Sequence, residues 1–109
     1  MNVNIAEIVV DVIHSDVDRI FDYKIPNNLN NIQIGMEVLV PFGGRMITGF
    51  IVGLKSTSLI QKNKLRNIKA VLHEGTVLIN EDLVDLAKKM ANYYMVPLAM
   101  ALECIVPGG

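Results

Sequence analysis

Between Ile5 and Ile13 the apolar residues Ala6, Ile8, Val10 and Val12 share one register while Glu7 and Asp11 fall on the other, the period-two pattern of a half-buried strand. A second, shorter strand alternates Phe21, Tyr23 and Ile25 against Asp22 and Lys24 and stops at Pro26 and an Asn-rich turn. After Gly35, the residues Met36, Val38, Val40 and Phe42 share a face up to Gly43-Gly44, where the chain must turn. Residues 47–54 continue as a nearly unbroken apolar strand. Gly49 and Gly53 are expected on one face of it, where missing side chains permit the bending of a barrel corner. Beyond the polar, basic stretch Ser56 to Asn67, the residues Ile68, Ala70 and Leu72 alternate with Lys69 and His73, so Lys69 should face outward.

The period then changes to 3.6. Leu83, Val84, Leu86, Ala87, Met90, Ala91 and Tyr94 line one side of a helix over 81–94, with Asn80 as N-cap and Glu81, Asp82 and Asp85 complementing its dipole. Pro97 opens a second, short helix, Leu98 to Ile105, that is apolar nearly all round. Such a helix needs cover on several sides. Either it is fully buried, or the chain was cut from a longer protein at Val106-Pro107-Gly108-Gly109. The elements predict an α+β, β-rich fold: a small barrel-like sheet followed by a C-terminal amphipathic helix and a short apolar helix. One domain is expected over 1–106, with 107–109 as the start of a linker.

The length of 109 residues suits one hydrophobic core, and 51% apolar against 19% charged residues excludes disorder. Met95 to Val106 is too short to span a bilayer and contains Pro97 and Glu103, and Glu7 and Asp11 interrupt any leader-like run. A cytoplasmic protein is expected, with no membrane partner. Cys104 is the only cysteine, so no internal disulfide can form, and its apolar neighbours suggest a buried thiol. His14 and His73 are too far apart to suggest a metal site. The net charge of −1 hides an uneven distribution: the ends are acidic, whereas Arg45, Lys55, Lys62, Lys64, Arg66 and Lys69 follow one another without an intervening acid. A solvated loop and a polyanion-binding surface both account for that run. No phosphate loop and no suggestive Ser-His-Asp or Cys-His grouping is present, which disfavours an enzyme.

Three segments, in order and at their spacings, resemble one family. They are Phe21-Asp22-Tyr23 before Ile25-Pro26; Gly35 to Gly43 with Val38, Val40, Pro41 and Phe42, followed by the strand from Gly49 to Val52; and Tyr93-Tyr94 before Pro97-Leu98 and a short apolar helix. This pattern resembles the N-terminal 3′-end-binding domain of the PriA primosomal helicases and covers nearly the whole chain. The chain departs from it in Ala99, where glycine commonly follows Pro-Leu, and in an insertion around Ser56 to Lys64.

The resemblance implies a non-catalytic DNA-binding module that holds the 3′ terminus of a nascent strand at a stalled or repaired replication fork. The implied pocket comprises Phe21, Asp22, Tyr23, Gly43 and Lys69, with Arg45 as a further phosphate contact. No cofactor or metal belongs to such a module; ATP and zinc would serve the helicase regions of the longer protein. Its partners would be DNA with a free 3′ end, forked DNA, the winged-helix and helicase domains of the same polypeptide and primosome proteins. Its setting would be the bacterial nucleoid.

A pocket that accepts any strand end needs contacts that every nucleotide offers. Aromatic faces at Phe21 or Tyr23 supply stacking worth roughly 1 to 3 kcal/mol per base. Asp22 has a carboxylate or a backbone group for a base edge, Gly43 lets the ribose approach the main chain, and Lys69 offers a charge to a phosphate. Strand alternation sends Asp22 to the face opposite Phe21 and Tyr23. Either the strand ends or bulges there, or one of the three acts through its backbone. The Gly-x-x-Val-x-Val-Pro-Phe pattern is also similar to SH3-like small barrels, which bind protein partners, and on that reading the basic run only solubilises the chain.

Overall fold

The strands and helices follow the order that the periodicities predict. A computed structural model describes residues 4–10, 20–56, 58 and 64–105; the expectations for Asp11 to His14, Lys62 and the linker 107–109 lie outside these residues. The strands are β1 (Ile5–Val10), β2 (Ile20–Lys24), β3 (Glu37–Phe42), β4 (Arg45–Lys55) and β5 (Ala70–Val71), and the helices α1 (Glu81–Tyr94) and α2 (Leu98–Ile105). The sheet is antiparallel, with strand order β2-β1-β4-β3-β5.

The segment around β5 closes this sheet. The Lys24 amide donates to the Arg66 carbonyl (2.8 Å) and the Lys24 carbonyl accepts from Ile68 (3.0 Å), while the amides of Lys69 and Leu72 donate to Leu39 (2.8 Å) and Glu37 (3.0 Å). One stretch of chain thus bonds to both β2 and β3 and bridges the two sides of the sheet. The strand expected over Ile68 to Leu72 shortens to Ala70–Val71 because its first half turns to β2 instead of β3.

Two cores lie on the two faces of the sheet. Ala6, Ile8, Val10, Val38, Val40, Ile51 and Ile68 fill the barrel. Val9 and Val52 point outward and are covered by Val84, Ala87 and Ala91 of α1 and Leu98, Ala101 and Leu102 of α2. Strands β1 and β4 are therefore buried on both faces, which accounts for their nearly continuous apolar runs.

The register slips between Glu7 and Ile8: Glu7 pairs with Gly53 and Ile8 with Ile51, leaving Val52 as the extra residue of a β-bulge. The Lys88 ammonium donates to the Val52 carbonyl at 2.8 Å, so the bulge is satisfied from α1. The bulge also corrects the expectation for the two glycines. Gly49 faces Ile8 and Gly53 faces Glu7, neighbours on β1 that project to opposite sides.

Helix α1 begins as expected, with the Asn80 side-chain oxygen accepting from the Leu83 amide at 2.9 Å, and ends at Met95 in the left-handed region. Its apolar side is only half covered. Val84, Ala87 and Ala91 are buried, whereas Leu83, Leu86 and Tyr94, expected on the core face, are exposed. The buried strip of α1 packs with Val9 and Val52 of the sheet and with Leu98, Ala101 and Leu102 of α2, and Leu83, Leu86 and Tyr94 lie outside the strip that these neighbours cover. Helix α2 is neither fully buried nor uncovered: Leu98, Ala101 and Leu102 are inside while Met100 is exposed. Cys104 is exposed too, against the expected buried thiol, because it lies off the face of α2 that meets the sheet.

Candidate nucleic-acid interface

The β3–β4 hairpin ends in a two-residue turn with positive φ at both Gly43 (58°) and Gly44 (83°), the geometry that matches strand twist and that glycine adopts without strain. Ideal Cβ atoms at these two positions would meet nothing within 4 Å. The turn is therefore an open rim, where a ligand can reach the main chain.

Beneath this rim lies a cavity of about 430 Å³ at one mouth of the barrel. Strand β2 contributes Tyr23, the hairpin contributes Pro41 to Met46, and the closing segment contributes Arg66. Tyr23 is 4% exposed, and its hydroxyl donates to the Pro41 carbonyl at 2.8 Å, fastening the hairpin to β2. Burial pushes its phenol above the ordinary tyrosine range, partly opposed by the positive charge of Arg66. Phe21 does not line the cavity; its ring packs against Phe42, which does, at 5.3 Å between centroids and 55° between planes.

Asp22 points the other way. Strand β2 pairs regularly through it, opposite Glu7. Its carboxylate meets the Lys55 ammonium at 3.0 Å and accepts a hydrogen bond from the Ser58 hydroxyl on the outer face of the barrel. The hydrogen bond to Asp22 holds the Lys55 ammonium above the ordinary lysine range, assisted by Glu7 at 3.5 Å. Of the two ways around strand alternation, the geometry leaves Asp22 its backbone. Lys69 is exposed, as its register predicts, and does not line the cavity. The structure thus brings Tyr23, Gly43 and Arg45 together directly and Phe21 through Phe42, and holds Asp22 and Lys69 apart from them.

The 3′ DNA-binding domain (3′BD) sequence model of PriA matches residues 7–107. The chain belongs to the PriA 3′ DNA-binding domain family. It is 35% identical over 105 residues to the replication restart protein PriA of Bacillus subtilis. The PriA proteins of Chlamydia pneumoniae and Rickettsia conorii are 30% identical over 102 residues and 34% identical over 86. These matches cover 95%, 94% and 79% of the chain but 13% of each relative. As a 3′BD, the chain is a DNA-binding module, and the part of PriA that it matches is non-catalytic.

Five lining residues of this 3′BD, Pro41, Phe42, Gly44, Met46 and Arg66, were not among the expected site residues, and Phe42 and Arg66 are the two that bring an aromatic face and a charge. Phe42 had a visible signal, since it shares the Val38 and Val40 register and precedes Gly43. Arg66 stood only as one member of the basic run; its entry into the cavity follows from barrel closure, which ties its carbonyl to Lys24. Among the described residues no cluster of His, Cys, Asp or Glu could hold a metal ion, and no helix is long and apolar enough to cross a membrane.

Proposed function

We propose that the chain captures the 3′ terminus of a nascent DNA strand at stalled or repaired forks, as one module of a replication-restart helicase. The observation that carries this reading is the barrel-mouth cavity, where an aromatic wall, a Cβ-free rim and arginine meet. Phe42, backed by Phe21, offers a face to the terminal base, and Tyr23 and Pro41 fix the depth of the site. Gly43 exposes main chain to the ribose and its free 3′ hydroxyl, so an added group at that hydroxyl meets the turn. Asp22 contributes through the main chain of β2, and Lys69 serves a phosphate of the same strand on the outer surface. Forked DNA, the remaining domains of the same polypeptide and primosome proteins are its partners, in the bacterial cytoplasm at the nucleoid.

The test is a fluorescence-anisotropy titration of single-stranded DNA with a free 3′ hydroxyl against the same oligonucleotide carrying a 3′ phosphate. Tighter binding of the hydroxyl end is expected. Equal binding reduces the activity to general DNA affinity, and binding of neither favours a protein-interaction barrel.

A further inference from the structure

We propose that Arg66 and Arg45 form a clamp on the last phosphodiester of the bound strand, so that the domain recognises the terminal nucleotide together with the phosphate on its 5′ side. This rests on the end-capture reading and adds a binding residue to it. Six cations fall in the acid-free run, and among those in the described residues only Arg45 and Arg66 line the cavity. Lys55 is consumed by Asp22 and Glu7 on the outer face. Arg45 and Arg66 have no carboxylate partner among the described residues.

The two arginines approach from different parts of the fold. Arg45 starts β4, paired with Phe42 directly after the glycine turn. Arg66 is anchored through its carbonyl to the Lys24 amide at 2.8 Å, next in sequence to Tyr23. Both guanidiniums thus belong to anchored backbone, one beside the rim and one beside the buried aromatic. A planar guanidinium presents paired N–H groups that suit two phosphate oxygens, which a lysine ammonium does not. A nucleotide with its base toward Phe42 and its 3′ hydroxyl at Gly43 has one phosphate of its own, on the 5′ side, and that anion falls to the arginines.

The experiment pairs Arg66→Gln with an oligonucleotide whose last linkage is an uncharged methylphosphonate, using the 109-residue chain. A control oligonucleotide carries the same substitution several nucleotides inward. Arg66→Gln is expected to weaken binding of unmodified DNA by about tenfold, the loss of a charge-assisted contact, and to reduce the slope of log affinity against log salt by about 0.7. On the terminal methylphosphonate, wild type and Arg66→Gln should bind alike; on the control, the tenfold difference should persist. Arg66→Lys should recover part of the salt slope but not the full affinity. Equal loss on the terminal methylphosphonate and on unmodified DNA overturns the clamp, and so does a difference that vanishes on the control as well as on the terminal methylphosphonate. A wild-type domain that fails to distinguish the 3′ hydroxyl from the 3′ phosphate refutes end capture instead, so the two failures are separable.

Discussion

Tyr23→Phe removes one oxygen from the wall of the site and leaves the ring. That hydroxyl is buried and donates to the Pro41 carbonyl at 2.8 Å. Its loss costs the net worth of one hydrogen bond, about 1 kcal/mol, and leaves the carbonyl without that donor for roughly another 1 kcal/mol. At about 4–8 °C per kcal/mol for a domain of this size, the melting temperature at neutral pH should fall by roughly 8–16 °C. Thermal unfolding followed by circular dichroism reads this directly. The alkaline side gives a second readout. Because burial raises the Tyr23 pKa in the folded state, the fold favours the neutral phenol. That contribution is complete below the unfolded pKa, near 10, and is lost as pH rises through the folded value. The wild type should therefore lose stability more steeply above about pH 10 than the variant. Lys55, whose pKa is also raised, titrates in both proteins, so the difference between them isolates Tyr23. An unchanged melting temperature with parallel alkaline profiles would show that the Tyr23–Pro41 contact does not hold the hairpin to β2.

Gly49→Ala should destabilise the domain by about 1–3 kcal/mol in urea denaturation, because the new Cβ would sit 2.7 Å from the Val9 carbonyl oxygen. Gly53→Ala should change stability by less than about 0.5 kcal/mol, since its Cβ meets only the Glu7 side chain, which can swing aside; equal effects at the two positions would contradict the bulge. Asp22→Asn should cost about 1 kcal/mol at low salt and less at high salt, as its ion pair with the half-exposed Lys55 is lost; a salt-independent loss would point to packing instead. Cys104 should react stoichiometrically with a thiol reagent in the native protein, whereas protection until unfolding would contradict its exposed position on α2.

Much of the architecture was legible because it is written at short range. Alternation at Phe21, Asp22 and Tyr23 needs only neighbours, as do Asn80 ahead of an amphipathic run and paired glycines between two strands, and each of these features stands where its pattern predicts. Long-range pairing was not legible. The bulge at Val52 depends on the register of β4 against β1, and it alone turned Gly49 and Gly53 to opposite faces. The exposure of Leu83, Leu86, Tyr94 and Cys104 depends on which strip of α1 and α2 the sheet and the other helix cover, because a helical pattern marks an apolar arc without stating how much of it a neighbour covers. The site divides along the same line. Tyr23, Gly43 and Arg45 meet because the hairpin folds over β2, and Arg66 joins them because the segment before β5 closes the barrel. Asp22, between two aromatics of the motif, ends on the opposite face with Lys55. Sequence alone determined the elements and the chemistry available, since local backbone preferences are properties of short segments. Tertiary structure decided which of those groups share a cavity, since that depends on hydrogen bonds between residues far apart in the chain.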